Sequence, residues 1–109
     1  MSKVDEQCSF LRDAARLILW CETNNLTTTG GELFRTIEQQ QWYWDHKMTK
    51  TMKSKHLEKL AIDLFLIVDG RMATLDEYRP MGDYWKSLHP HNVWGGDWGW
   101  DANHFQRSA

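Results

Sequence analysis

The chain has 109 residues, a length typical of one domain, so we expect a single domain over residues 1–109 and no separate anchoring module. Hydrophobic residues make up 41% and charged residues 26%, a globular balance that excludes wholesale disorder. The 13 basic and 15 acidic side chains give a formal net charge of −2. Without a basic block, this composition argues against tight nucleic-acid binding and against a polybasic membrane anchor.

Hydrophobic periodicity predicts an amphipathic helix over residues 5–22. Charged side chains, Asp13 among them, fill most of one side of this helix. Cys8 and Cys21 would lie about 20 Å apart along it, so they cannot form a disulfide with each other and we expect both to be reduced. We expect the helix to bury its other side, where apolar residues recur at three- and four-residue spacings: Cys8, Leu11, Ala14, Ala15 and Ile18.

Four further elements are predicted in the middle of the chain. The threonine-rich segment 26–35 is typical of a short strand, and Thr36 can cap a second helix over residues 37–45. Residues 46–55 are polar and lack periodicity, as in an exposed loop. Residues 61–68 form a nearly continuous apolar run that ends at an Asp-Gly turn signal, which predicts a buried strand.

The last third of the chain combines a helix with a loop rich in glycine and tryptophan. Residues 75–88 have helical spacing, although an internal proline and glycine predict a kink or break. We expect Trp85 to pack in the core and Trp94 or Trp98 to form the wall of a ligand cleft. The sequence also contains three histidines that we expect to lie at the surface without a role: His46, His89 and His91.

Asp63 is anomalous, because it places a carboxylate inside the predicted apolar strand. Burying that ion costs several kcal/mol unless a positive group lies beside it. Arg35 or a lysine could pair with it, and a metal ion is the alternative. His56 lies seven positions earlier, and the two side chains can reach one metal only if the chain turns between them.

Asp101 and His104 form a second candidate pair, since a spacing of three residues puts two side chains on the same face of one helical turn. Taken together, His56, Asp63 and His104 offer one oxygen and two nitrogen ligands. This set suits zinc with an open fourth position, the arrangement of a catalytic site. Asp101 then remains as a general base.

The chain resembles the LAS zinc peptidases, the group of D-Ala-D-Ala carboxypeptidases and L-alanyl-D-glutamate endopeptidases. The resemblance implies an α+β fold in which helices flank a small antiparallel sheet, as in hedgehog-like and D-Ala-D-Ala peptidase domains. It covers nearly the whole chain and rests on four segments: Arg35-Thr36-x-Glu38-Gln39-Gln40, Ser54-x-His56-x-x-x-x-Ala61-x-Asp63, Trp94-Gly95-Gly96-Asp97-Trp98 and Asp101-x-x-His104-Phe105.

This resemblance also implies roles for individual residues. The zinc ligands would be His56, Asp63 and His104, and the catalytic acid/base would be Asp101. Arg35 would serve both catalysis and substrate binding, and three further residues would contact substrate: Ser54, Trp94 and Trp98. The chain departs from the family pattern at Lys59, where the family usually has a glycine, so a turn that needs positive φ would be strained there.

The function that the resemblance implies is zinc-dependent hydrolysis of the peptidoglycan stem peptide, with the L-alanyl-D-glutamate bond as the first choice. We expect a monomeric phage endolysin without a signal peptide or membrane insertion, held in the host cytoplasm before lysis and acting on peptidoglycan after release. Two alternatives stay open at this point. One is a D-Ala-D-Ala carboxypeptidase of the same fold, and the other is a non-catalytic zinc-containing cell-wall-binding module whose tryptophans stack on glycans.

Overall fold

The computed structural model describes residues 2–108, which form three α-helices and five antiparallel strands. The sheet order is β1-β2-β5-β4, and β3 pairs with the end of β2. The predicted α+β fold with a small antiparallel sheet flanked by helices is confirmed. The elements are α1 (Lys3–Thr23), β1 (Thr27–Gly30), α2 (Ile37–Asp45), β2 (Ala61–Val68), β3 (Arg71–Met72), α3 (Leu75–Leu88), β4 (Asn92–Trp94) and β5 (His104–Arg107), with 3-10 turns at Lys55–Glu58 and Gly95–Trp98.

The core is aromatic and lies between α1, α3 and the strands. Trp85 of α3 is fully buried, as predicted, and meets Phe10 of α1 edge to face with ring centroids 5.6 Å apart. Its indole Nε1 donates to the carbonyl oxygens of Val93 and Gln106 at 3.1 and 3.2 Å. The ring therefore contributes apolar burial while its one polar atom is satisfied, as a buried indole requires.

Helix α1 buries a different face from the predicted one. Leu11 and Ile18 are 54% and 44% exposed, and only Ala14 of the predicted face is buried. The helix carries two stripes of residues with three- and four-residue spacing. The stripe that contains the aromatic residue Phe10 packs on α3. The buried residues are Phe10, Asp13, Ala14, Leu17 and Cys21.

The buried face of α1 includes a carboxylate because Arg107 of β5 reaches it. Arg107 is fully buried; its Nη2 donates to Asp13 at 2.7 Å, its Nε to Asn92 at 2.7 Å and its Nη1 to Glu6 and Ser9 at 3.0 Å each. Asn92 also donates to Asp13 at 3.1 Å. This network ties α1 to strands β4 and β5, so the N-terminal helix and the last strand depend on each other.

Helix α3 runs without a break through the proline and glycine that predicted a kink. A Cβ atom at Gly82 would lie 2.2 Å from the Trp94 ring, so the glycine serves close packing. Trp94 is fully buried, and its Nε1 donates to the carbonyl of Ala102 at 2.7 Å. The prediction that Trp94 could form a cleft wall and contact substrate is therefore wrong, because the ring is covered by α3.

The turn after β2 has the predicted hairpin geometry, with positive φ at Asp69 (52°) and Gly70 (75°). Within the described residues, no helix combines the length and apolar character needed to cross a lipid bilayer.

The Arg107 network leads to a stability prediction. We expect Asp13→Ala to lower the free energy of unfolding by about 3 kcal/mol, because it leaves the buried Arg107 charge without its closest carboxylate. Arg12→Ala, an exposed neighbour on the same helix, is the matched control and should change the free energy by less than about 0.5 kcal/mol. Urea unfolding followed by tryptophan fluorescence measures both, and similar small losses in the two variants would contradict the assignment.

Candidate metal centre

Strand pairing brings Asp63 and His104 together. They are direct partners in the antiparallel ladder between β2 and β5, so their side chains leave the same face of the sheet. Nδ1 of His104 lies 3.6 Å from Oδ1 of Asp63. One interpretation of the sequence paired Asp63 with Arg35 or a lysine, and among the described residues no such ion pair forms. The groups beside its carboxylate are two histidines.

His56 reaches the same point from a 3-10 turn that precedes β2. Ser54 caps this turn, since its Oγ accepts from the backbone N–H of His56 at 3.2 Å. Lys59 ends it in the left-handed conformation, with φ 58° and ψ 35°. The turn keeps the positive φ that a glycine would favour, and the chain reverses so that Nε2 of His56 lies 3.2 Å from Oδ1 of Asp63.

The outer nitrogen of each histidine has an oxygen partner. Nδ1 of His56 lies 3.2 Å from the carbonyl of Leu33, and Nε2 of His104 lies 2.8 Å from Oε1 of Gln106. If each outer nitrogen carries the proton, the inner nitrogens, Nε2 of His56 and Nδ1 of His104, present lone pairs toward Asp63. Outer partners of this kind orient metal-binding histidines and select their tautomer.

The nitrogen and oxygen atoms of these side chains are better placed to bind a metal ion than to hydrogen-bond with one another. Nε2 of His56 is buried and has no aligned hydrogen-bond partner among the described residues, although Asp63 is near it. Burying a polar atom without a hydrogen-bond partner costs free energy, unless another group lies between the donor atoms and binds it. The ligand atoms of His56, Asp63 and His104 all lie within 4.8 Å of one another, and this oxygen and nitrogen set is suited to zinc.

The electrostatics of the centre follow from burial and from the two imidazoles. Burial alone would raise the pKa of Asp63, but the adjacent imidazoles of His104 and then His56 outweigh it and lower the pKa to about 2. Burial would lower the pKa of His104, but the nearby Asp63 carboxylate and the hydrogen bond with Gln106 outweigh it and raise the pKa above its ordinary value. Asp63 is therefore ionised at neutral pH, as a metal ligand must be.

Asp101 lies beside the three candidate ligands, with Oδ2 3.9 Å from Nδ1 of His104. The predicted helical turn is wrong, because Ala102 and Asn103 form a turn and His104 begins β5. The turn still brings the two side chains together, helped by Gly95, where a Cβ atom would lie 2.2 Å from the Asp101 carbonyl. Burial, and then the charge of Asp63, raise the pKa of Asp101, which suits a group that exchanges protons.

Arg35 lines the same cleft and is held by several partners. One guanidinium nitrogen, Nη2, donates to Glu32 at 2.7 Å, and the other, Nη1, donates to Gln40 at 2.8 Å and lies 3.5 Å from Oγ of Ser54. Its guanidinium carbon lies 4.6 Å from the centre of the Tyr43 ring. These contacts fix the guanidinium but leave its buried Nε without a partner among the described residues.

The three candidate ligands lie in a cleft with a volume of about 480 Å³. Trp98 is on the wall, as predicted, with its ring centroid 5.4 Å from that of His104. Trp100 lies beyond it and is 57% exposed. The candidate site therefore opens to solvent between the segment that precedes the 3-10 turn and the tryptophan-rich loop. The three remaining histidines lie outside this cleft: His46, His89 and His91.

The residues that hold Arg35 and His104 in place were not predicted as part of the site: Glu32, Gln40 and Gln106. Gln106 could have been found if residues 104–107 had been predicted as a strand, because residues two apart share a face. Gln40 falls within a segment that carries the family resemblance, but its burial depends on tertiary packing. Glu32 carries no local signal, since its contact with Arg35 depends on the bend that follows β1.

Comparisons with known proteins agree with this architecture. No protein-family model matches the chain, and no curated protein sequence matches it. Among solved structures, it is similar to the L-Ala D-Glu endopeptidase ChiX of Serratia marcescens, with a TM-score of 0.63. The match covers 76% of this chain and 68% of that chain at 22% sequence identity. The similarity shows that the two chains share a fold.

We expect the described ligands to bind one zinc ion per chain. His104→Ala should weaken zinc binding by at least about 100-fold, because the loss of a ligand exceeds the usual cost of losing an outer partner. His91→Ala, which changes an exposed histidine outside the cleft, should have no effect. Competition with a chromophoric chelator measures both affinities.

Zinc affinity should also fall as the pH is lowered. The raised pKa of His104 means that the metal-free protein holds a proton at this position more readily than an ordinary histidine does, and zinc must displace that proton. The same chelator competition at pH 7.5 and pH 6 tests this, and equal affinities at the two values would contradict it.

Proposed function

We propose that the protein is a zinc-dependent peptidase that cleaves the peptidoglycan stem peptide at the L-alanyl-D-glutamate bond. The observation that carries this proposal is the convergence of His56, Asp63 and His104 beside Asp101 in one open cleft. The sequence resemblance to LAS peptidases and the fold shared with an L-Ala D-Glu endopeptidase support the same substrate class. A non-catalytic zinc-containing module would use the three ligands but would not need the adjacent Asp101 carboxylate of raised pKa.

The proposed chemistry divides between the ligand set and two neighbouring side chains. His56, Asp63 and His104 would hold zinc, and the bound ion would supply Lewis acidity for acidifying water and polarising a carbonyl group. Asp101 would accept the proton of the attacking water at a carboxylate oxygen and deliver it to the leaving amine. Its raised pKa brings the carboxylate closer to the proton affinity that both transfers require.

Arg35 would stabilise the oxygen that becomes negative during attack, or hold a carboxylate of the substrate. Glu32 and Gln40 already fix its guanidinium, so little reorganisation is needed when the charge develops. Ser54 lies beside the same guanidinium and would contact substrate, and Trp98 would form the opposite wall.

The biological setting that we propose is cell-wall degradation by a phage endolysin. In this setting the enzyme would act as a monomer and reach peptidoglycan after its release from the host cytoplasm. This part of the proposal rests on the sequence resemblance and on the wall-directed chemistry. It predicts a fall in turbidity when the protein is added to bacteria whose outer barrier has been permeabilised.

The reaction itself is tested by mass spectrometry of soluble products from purified peptidoglycan. Zinc-loaded protein should release peptides that begin with D-glutamate, and a chelator-treated sample should release none. Loss of a terminal D-alanine alone would show carboxypeptidase action and contradict the choice of bond. The absence of any product from the zinc-loaded protein would contradict the peptidase proposal.

A substitution at Asp101 tests the proposed proton transfer. Asp101→Asn keeps the shape of the side chain but cannot accept the proton, so turnover should fall by at least about 100-fold while bound zinc is retained. Asp97→Asn is the control, because Asp97 is exposed and pairs with Lys86 at 2.8 Å. Its turnover should stay within about twofold of the unsubstituted protein. A zinc-loaded Asp101→Asn protein with full turnover would exclude Asp101 as the base.

A further inference from the structure

The mouth of the cleft is positively charged although the chain as a whole is acidic. Lysines 47, 50, 53 and 55 lie between Asp45 and Glu58 with no acidic residue among them. Lys50 and Lys53 line the cleft, are exposed, and form no ion pair with the described residues. Lys55 is different, because it pairs with Glu58 at 3.0 Å. Two cations therefore remain available at the entrance to the candidate metal centre.

The segment that carries these lysines is held in place by Gln40, which is fully buried. Its Nε2 donates to the carbonyl of Thr51 at 2.6 Å, and its Oε1 accepts from Arg35. The backbone N–H of Lys53 donates to Oγ1 of Thr51 at 2.9 Å. One buried amide thus fixes both the arginine inside the cleft and the segment at its mouth, which reduces the entropy lost when the lysines bind a ligand.

Trp100 covers the other side of the entrance. The ammonium of Lys50 lies 5.1 Å from the centre of the Trp100 ring, within the range of a cation–π contact. The ring holds the ammonium at the mouth without neutralising it, so the positive charge stays available to an anion. Inside the cleft the acidic groups are Asp63 and Asp101, which face the metal position. The mouth of the cleft therefore favours negatively charged groups, whereas the interior favours positively charged ones.

We propose that Lys50 and Lys53 form a carboxylate-binding subsite, separate from the metal ligands, that selects substrate peptides with a free carboxylate. This inference rests on the proposed function, because it takes a stem peptide as the ligand. A D-glutamyl residue has two carboxyl groups, and one remains free when the other forms a peptide bond. The subsite favours this acidic form over the form in which the free carboxyl group is amidated.

The test measures binding rather than turnover. Zinc-loaded Asp101→Asn protein is titrated by calorimetry with two synthetic stem peptides, one with the free D-glutamyl carboxylate and one with the carboxamide. The same titrations are made after Lys50→Met and Lys53→Met are added together. Methionine keeps most of the side-chain length and removes the charge. Lys47→Met is the matched control, because Lys47 lies on the same segment but does not line the cleft.

With both lysines present, the carboxylate peptide should bind about three- to tenfold more tightly than the carboxamide, as two partly exposed ion pairs would provide. The preference should fall to about one in the double methionine protein, persist in Lys47→Met, and weaken in 0.5 M NaCl. A preference that survives in the double methionine protein would overturn the subsite, as would equal binding of the two peptides or no binding of either.

The binding test separates this inference from the peptidase proposal. Peptidoglycan cleavage without any carboxylate preference would overturn the subsite and leave the peptidase proposal standing. A lysine-dependent preference in a protein that releases no product from peptidoglycan would support the subsite and contradict the peptidase proposal.

Discussion

The register between β2 and β5 is the constraint on which the candidate site depends. It sets Asp63 opposite His104, and the carboxylate and the imidazole meet because both leave the same face of the sheet. A shift of one residue would turn one of them toward the core. His56 is positioned by a second feature, the 3-10 turn that Lys59 ends with positive φ. A non-glycine residue in this conformation lowers the stability of the fold by about 1 kcal/mol, and the turn that orients His56 has this cost.

One face of strand β5 lies toward the candidate site, and the other face lies toward the core. His104 and Gln106 alternate along it toward the cleft, whereas Phe105 and Arg107 are buried on the opposite side. Arg107 joins the strand to α1 through Asp13, which lies 94 positions earlier. The ionic network on the buried side of the sheet therefore fixes the strand that carries His104. The four residues of β5 contribute both to the stability of the fold and to the candidate site. At the mouth, Gln40 has a similar double role, because it fixes both Arg35 and the basic segment.

Much of this arrangement could be predicted from the sequence, and the failures share a cause. Residue types and spacing pointed to the three side chains that converge, because an acid in an apolar strand requires a partner. Strand β2 has the predicted bounds, since a continuous apolar run is a local signal. The buried face of α1 could not be chosen, because two stripes had helical spacing and only packing against Trp85 and Arg107 decides between them. The burial of Trp94 likewise depends on a glycine in α3, which no local pattern reveals.

The candidate site depends on His56, Asp63 and His104 binding a single metal ion. X-ray absorption spectroscopy at the zinc edge of the loaded protein can test this binding. We expect nitrogen and oxygen neighbours only, at about 2.0–2.2 Å, with the imidazole signature of two histidines. That signature should decrease by one histidine in His104→Ala. A sulfur neighbour near 2.3 Å, or a spectrum unchanged by the substitution, would contradict the claim.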